Sequence, residues 1–282
     1  MVVDAVARVP GWMRAWELPA ARVVEELTDL GDRARVWRVR SGDRDYVAKL
    51  TFDAPRFVEP GLRIAATLDR AGIVTGAPVP TRAGGLCRRV GWWRGGWTLA
   101  VLEHVAGHPL DWSAPEAPEV CGDLLGQVHH ILTSTDEPVE PAGRLLDFYA
   151  EEATRVGGQH GDALAEAVAA VRAFDRRVGL TQGVLYGDPA PEVLRVAGGD
   201  ALALIDWGTP SWGPVLHDVV SWQLFAQRHR PTDPTAGPRL LAAYRARMPV
   251  ADAELAGLEL VVVLHRAIQA AWEPTRAGDD AR

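Results

Sequence analysis

Two aspartates and a lone lysine have the types and contexts to do chemistry together. Asp188 lies in Tyr186-Gly187-Asp188-Pro189 and Asp206 in Ile205-Asp206-Trp207-Gly208, and each follows an apolar run that reads as a strand. The interval of 18 positions between them predicts two carboxylates projecting from neighbouring strand ends into one site. Lys49 is the only lysine in the chain; the other 29 of its 30 basic side chains are arginine. A lysine offers a compact ammonium on a flexible stem, whereas arginine offers a wide planar fork. A loop aspartate can orient or deprotonate a hydroxyl, a second carboxylate suits Mg2+, and an ammonium neutralises phosphate charge; together they make up an ATP-dependent phosphoryl-transfer site. Taken singly, each has a plainer explanation. A GC-rich genome depletes lysine, and an isolated aspartate after a strand is usually a turn or cap residue. The combination carries the chemical reading.

These residues need particular elements to hold them. Alternation and β-branching predict strands at 21–27, 34–40 and 45–52, with Ser41-Gly42-Asp43 as a hairpin turn and Lys49 on the third strand. A helix follows at 57–71, closed by Gly72, and two more strands at 86–90 and 97–101. Past His104 the chain turns helical, at 119–132, 145–155 and 162–177. Strands return at 183–186, 193–196 and 201–205, around the two aspartates, and helices at 216–227, 238–248 and 251–272 close the chain. The pattern is a small β-rich lobe and a larger α-rich lobe, with a ligand cleft expected between them. Of Trp92, Trp93 and Trp97, at least two read as core.

Composition narrows the class. A hydrophobic fraction of 48% supplies ample core, and a net charge of −7 argues against a nucleic-acid partner. The two cysteines, Cys87 and Cys121, form no metal or disulfide motif and read as small buried hydrophobes in a reducing compartment. The N-terminus lacks the pattern of a signal peptide, and no apolar run approaches a bilayer span, so the expectation is a soluble cytoplasmic protein without a membrane partner. Nothing in the sequence sets an oligomeric state.

From the strand lysine to the second aspartate, the chain resembles the aminoglycoside phosphotransferase family, a kinase-like fold shared with choline and homoserine kinases. The resemblance covers nearly the whole length. The family order is a strand lysine, a hinge, His-Gly-Asp with an asparagine five residues after the aspartate, then Ile-Asp-Trp or Ile-Asp-Phe. The resemblance implies an α+β, two-lobed protein-kinase-like fold, with an N-lobe over 1–104 and a C-lobe over 105–282. Asp188 becomes the catalytic base, Asp206 a metal ligand and Lys49 the phosphate contact. Glu103-His104-Val105 becomes the hinge, with Glu103 and Val105 meeting adenine. Asp218, in Gly213-Pro214-Val215-Leu216-His217-Asp218, becomes a structural acid steadying the catalytic loop, and His129 lies on a helix packed beneath it.

The departures from the family are specific. Tyr186 replaces the loop histidine. Val193 stands at the asparagine position, and the chain contains no asparagine at all, so Glu192 is the expected second metal ligand. The helix position that usually supplies a glutamate to the lysine is Ile64, and Glu59, near the helix start, is expected to reach back to Lys49. The phosphate loop Gly31-Asp32-Arg33-Ala34 offers a single glycine. The implied activity is transfer of the γ-phosphate of ATP or GTP, with Mg2+, to a hydroxyl. Residues 111–177 hold 13 acidic and 5 basic side chains, which suits a cationic acceptor such as an aminoglycoside-type antibiotic; a solvated helix face accounts for them equally well. Two alternatives stay open: a kinase acting on Ser or Thr of a precursor peptide, and a pseudokinase that binds without turnover.

Overall fold

In a computed structural model, residues 5–18, 20–27, 34–91, 96–135, 141 and 143–279 are described. The phosphate-loop residues Gly31 to Arg33, and Trp92 and Trp93, lie outside them. The elements are α1 (Ala5–Met13), β1 (Arg22–Glu26), β2 (Ala34–Ser41), β3 (Arg44–Thr51), α2 (Pro55–Arg70), β4 (Cys87–Val90), β5 (Trp97–Glu103), β6 (Gly107–Pro109), α3 (Ala117–Ser134), α4 (Leu145–Val156), α5 (Gly158–Val178), β7 (Gln182–Leu185), β8 (Leu194–Ala197), β9 (Leu202–Leu204), β10 (Ser211–Pro214), α6 (Leu216–His229), α7 (Ala236–Arg247), α8 (Asp252–Leu255) and α9 (Leu258–Asp279). By its contacts the chain forms two units, residues 1–110 with 191–208, and residues 111–190 with 209–282. The sequence expectation divides the chain once, after residue 104. The structure returns 191–208, with β8 and β9, to the first unit.

In the first unit, an antiparallel sheet runs β1-β2-β3-β5-β4. Tyr46, Ala48 and Leu50 alternate into a core with Trp37, Val39, Leu99 and Val101, and Val9, Met13 and Trp16 from the N-terminal segment pack on it. Each large apolar side chain buried there contributes roughly 1.5–3 kcal/mol. The sequence did not signal α1, because Pro10 and Gly11 interrupt its pattern. The β2–β3 hairpin turns at Gly42, whose φ of 62° suits a residue without Cβ. α2 starts at a proline, buries Leu62, Ile64, Ala65 and Leu68, and ends before Gly72 at φ 92°. A second sheet, β6-β8-β9, holds the segment leading to Asp206.

In the second unit, helices α3 and α7 cross at backbone distance. A Cβ at Gly122 would lie 2.1 Å from the carbonyl oxygen of Leu240, and one at Gly126 would lie 2.7 Å from that of Tyr244. Glycines four apart on α3 therefore set the crossing, which positions His129 one turn further along. A two-stranded pair, β10-β7, leads into the Asp188 loop. The helical stretch expected at 251–272 is two helices, broken where Gly257 packs with its would-be Cβ 2.4 Å from the Phe174 ring. No helix among the described residues is long and apolar enough to cross a membrane.

Gly122→Ala should force α3 and α7 apart and cost about 2 kcal/mol or more. Gly143→Ala, where a Cβ meets nothing within 4 Å, should stay within about 0.5 kcal/mol of wild type. Chemical denaturation of the two variants side by side tests this; equal midpoints would refute it.

Candidate active site

Lys49 projects from the β3 face opposite the buried Tyr46, Ala48 and Leu50, in register with Val36 on β2 and Ala100 on β5. Its ammonium donates to Oδ1 of Asp206. Asp206 follows β9 in a turn fixed on several sides. The Ile205 amide donates to the Val193 carbonyl at 2.9 Å, that of Leu204 to Val74 at 3.0 Å, and the buried Trp207 indole to the Leu204 carbonyl at 3.0 Å. The backbone of Asp206 has φ 63°, a left-handed conformation that costs a non-glycine residue about 1 kcal/mol or more. Such a cost is tolerated where the carboxylate must point in one direction. Gly208 stands beside the pair: a Cβ there would lie 3.1 Å from Asp206 Oδ1 and 3.4 Å from Lys49 Nζ.

Glu59 does not join this pair. It accepts from Arg63, one turn along α2, at 2.6 Å, and Ile64 is buried. A glutamate one turn from an arginine finds a partner on its own helix, so the expected Glu59–Lys49 contact gives way to Lys49–Asp206. Val193 is buried as a core residue, and Glu192 precedes it half-exposed in the turn before β8. Among the described residues, no three His, Cys, Asp or Glu side chains group closely enough to hold a metal ion. The donors are hard oxygens, which suits Mg2+, an ion that keeps several waters and uses one or two carboxylates with substrate phosphates.

At the end of β5, the Glu103 amide donates to the Ala77 carbonyl at 2.8 Å and its carboxylate accepts from Arg44 at 2.7 Å. Of its backbone groups, the amide is thus already engaged. Gly76, Ala77 and Glu103 to Ala106 are among the residues that line a pocket of about 210 Å³. Gly76, at φ 68°, allows a close approach: a Cβ would lie 2.9 Å from the Glu103 carbonyl oxygen. Burial holds the His104 imidazole below its ordinary pKa, helped by Arg38.

The second unit holds Asp188 in an exposed loop after β7. Beneath the loop lies Asp218, in the first turn of α6 and 0% exposed. Its Oδ2 accepts the Tyr186 amide at 2.6 Å and its Oδ1 the Gly187 amide at 3.0 Å. His129 Nε2 meets Asp218 Oδ2 at 3.2 Å, and His129 Nδ1 meets the Tyr244 hydroxyl at 2.8 Å. The Tyr244 hydroxyl and the Asp218 carboxylate thus give both ring nitrogens of His129 a partner. Burial pushes the Tyr244 phenol well above its ordinary pKa, which keeps it a donor. Asp218 and His129 thus lie beneath the loop as the family resemblance implies, while Tyr244, 115 residues from His129, carried no local signal. Tyr186, buried in place of the loop histidine, packs towards Trp222 with centroids 6.0 Å apart.

Behind this brace, the His217 and His265 rings lie 6.0 Å apart, and His265 Nδ1 meets Ser221 Oγ at 3.1 Å. Burial lowers both pKa values; His265 falls to about 4, with His217 and Arg228 adding to the effect.

The family model described as the phosphotransferase enzyme family matches residues 26–258. No curated protein matches the chain by sequence. A microcompartment-associated aminopropanol kinase superimposes with TM-score 0.74 at 17% identity, covering 95% of this chain and 88% of that one. An amicoumacin kinase, in complex with AMP-PNP, Ca2+ and its ligand, gives 0.72 at 12% identity over 95% and 85%. A choline kinase from Streptococcus pneumoniae gives 0.62 at 12% identity over 98% and 91%. At these identities the likeness shows the fold: α+β and kinase-like, with a small antiparallel-sheet lobe and a helical lobe.

Two measurements probe the brace. Tyr244→Phe, which leaves a buried histidine nitrogen unpaired, should cost about 1–3 kcal/mol, and Asp218→Asn more; an unfolding series in which both match wild type would refute the network. A histidine whose folded pKa is depressed leaves the unfolded chain to bind the extra proton. Stability should therefore be full above about pH 6.5 and fall as the pH drops towards 4. Melting curves across that window should flatten for His265→Leu; identical slopes for variant and wild type would exclude His265 as the cause.

Proposed function

The chain belongs to the phosphotransferase enzyme family, and from that premise we propose that it transfers the γ-phosphate of ATP or GTP, bound with Mg2+, to a hydroxyl of a small molecule. The observation that carries this reading is Lys49 seated on a carboxylate whose backbone is held in a left-handed turn. A charge pair at that position has the two functions phosphate binding needs: an ammonium for the phosphate oxygens and a carboxylate for the metal. Asp206 would hold Mg2+, with Glu192 as second carboxylate and water filling the remaining positions. When bound, the ion neutralises charge on the transferring group. Asp188 would orient the acceptor hydroxyl and accept its proton, and Asp218 with His129 keeps the Asp188 loop in shape. Glu103 and Val105 would offer backbone groups to the base. Transfer then depends on positioning and charge neutralisation rather than on a covalent enzyme intermediate.

For the acceptor we favour an alcohol that also carries a cationic nitrogen, with an aminoglycoside-type antibiotic among the candidates. Exposed Asp147, Glu151, Asp162 and Glu166 lie on α4 and α5 within the acidic stretch. The aminopropanol and choline kinases that share the fold are named for alcohols of that kind. We place the reaction in the cytoplasm, a reading that the two free cysteines, Cys87 and Cys121, support.

Nucleotide consumption should be measured over a panel of amino alcohols, aminoglycosides and Ser/Thr peptides. Asp188→Asn should lower kcat roughly 10²–10⁴-fold with nucleotide binding retained, and Lys49→Ala should chiefly weaken nucleotide binding. Glu192→Ala should raise the Mg2+ requirement; an unchanged Mg2+ dependence would remove Glu192 from the metal site. Turnover confined to peptides would move the acceptor to that class. Nucleotide binding without turnover on any acceptor would make the chain a pseudokinase, and no nucleotide binding would end the phosphotransferase reading.

A further inference from the structure

We propose that in the nucleotide-free protein Lys49 competes with divalent cations for Asp206, so that metal affinity rises when a nucleotide's phosphates draw the lysine away, an inference that rests on the phosphotransferase reading above. α2 carries two acids, and the structure accounts for both away from the lysine. Glu59 is paired with Arg63 at 2.6 Å, while Asp69, near the C-terminal end of the helix, takes a hydrogen bond from the Thr75 backbone. The α2 position from which the family would supply a glutamate is the buried Ile64. The acid that meets the ammonium is Asp206 itself. One carboxylate thus serves the lysine at rest and would have to serve the metal in the loaded state.

The two partners differ in freedom. Asp206 is fixed by its left-handed backbone, by the Trp207 indole bond and by the Ile205 amide bond. Lys49 reaches it on a flexible four-carbon stem from a rigid strand. Exchange therefore proceeds by the lysine swinging off, with the carboxylate already in place. The pair is partly exposed, 27% for the lysine side chain and 50% for the aspartate. Such a pair is weak enough to be displaced by a polyphosphate. A dication arriving alone must displace the ammonium with no phosphate to receive it, and it meets like charge at the oxygen it needs. A nucleotide–metal complex brings phosphate oxygens for Lys49 and the cation for Asp206 together.

The test uses Mn2+ as the metal probe and AMP-PNP as the nucleotide, with Mn2+ binding followed by electron paramagnetic resonance. Without nucleotide, Lys49→Met and Lys49→Gln should each bind Mn2+ roughly three- to tenfold more tightly than wild type, and Asp206→Asn should abolish that binding. With AMP-PNP, wild type should gain Mn2+ affinity, and the two lysine variants should bind AMP-PNP more weakly. Equal Mn2+ affinity in wild type and both lysine variants without nucleotide would overturn the proposal, as would Mn2+ binding that ignores Asp206→Asn. Circular dichroism of each variant confirms that it is folded. If wild type binds no AMP-PNP, the phosphotransferase reading falls, while the nucleotide-free Mn2+ comparison still decides whether Lys49 competes for Asp206.

Discussion

A carboxylate with no exposed surface persists only if its surroundings supply hydrogen bonds in place of water, and Asp218 shows how far that requirement reaches. Two loop amides and an imidazole nitrogen satisfy its oxygens. The imidazole needs a partner of its own, which is the Tyr244 hydroxyl on α7. α7 meets α3 only because Gly122 and Gly126 let the two backbones approach. One buried charge thereby ties the loop bearing Asp188 to α6, α3 and α7. The loop's shape follows from the fold of the second unit rather than from its own sequence.

The first unit solves a different problem. Its sheet must bury one face and leave a lysine on the other, and period-two alternation in β3 does both. α1 and the turn after it cover the buried face, so the strand can be rigid where Lys49 leaves it. The carboxylate facing Lys49 is held as firmly, by a turn locked through Trp207 and through bonds to Val193 and Val74. Rigid elements on both sides leave the lysine stem as the part free to move.

The departures from the family pattern become consistent in this setting. Val193 is a core residue whose carbonyl accepts the Ile205 amide, so the position has a structural use in place of metal ligation. Tyr186 occupies the histidine position as a buried aromatic against Trp222. With the apolar Ile64 buried on α2, the acid that Lys49 meets is Asp206.

Asp218 as the acid beneath the loop is implied only by the family resemblance, whereas most element types, the strand that carries Lys49 and the aspartates that follow strands are legible in the residues themselves. Those features are local: alternation, helical spacing and turn residues are set by neighbours along the chain. Local pattern does not signal α1, where Pro10 and Gly11 blur the period, or β6 and β10, whose Gly-His-Pro and Ser-Trp-Gly-Pro read as turn residues. Which charge faces which depends on how the elements pack. Glu59 had Lys49 and Arg63 both within its reach in sequence terms, and the helix turn chose Arg63. Lys49 and Asp206 are 157 residues apart, and Tyr244 and His129 are 115 apart. Pairings over such distances depend on which backbones can approach, a property of packed elements that no window of sequence contains.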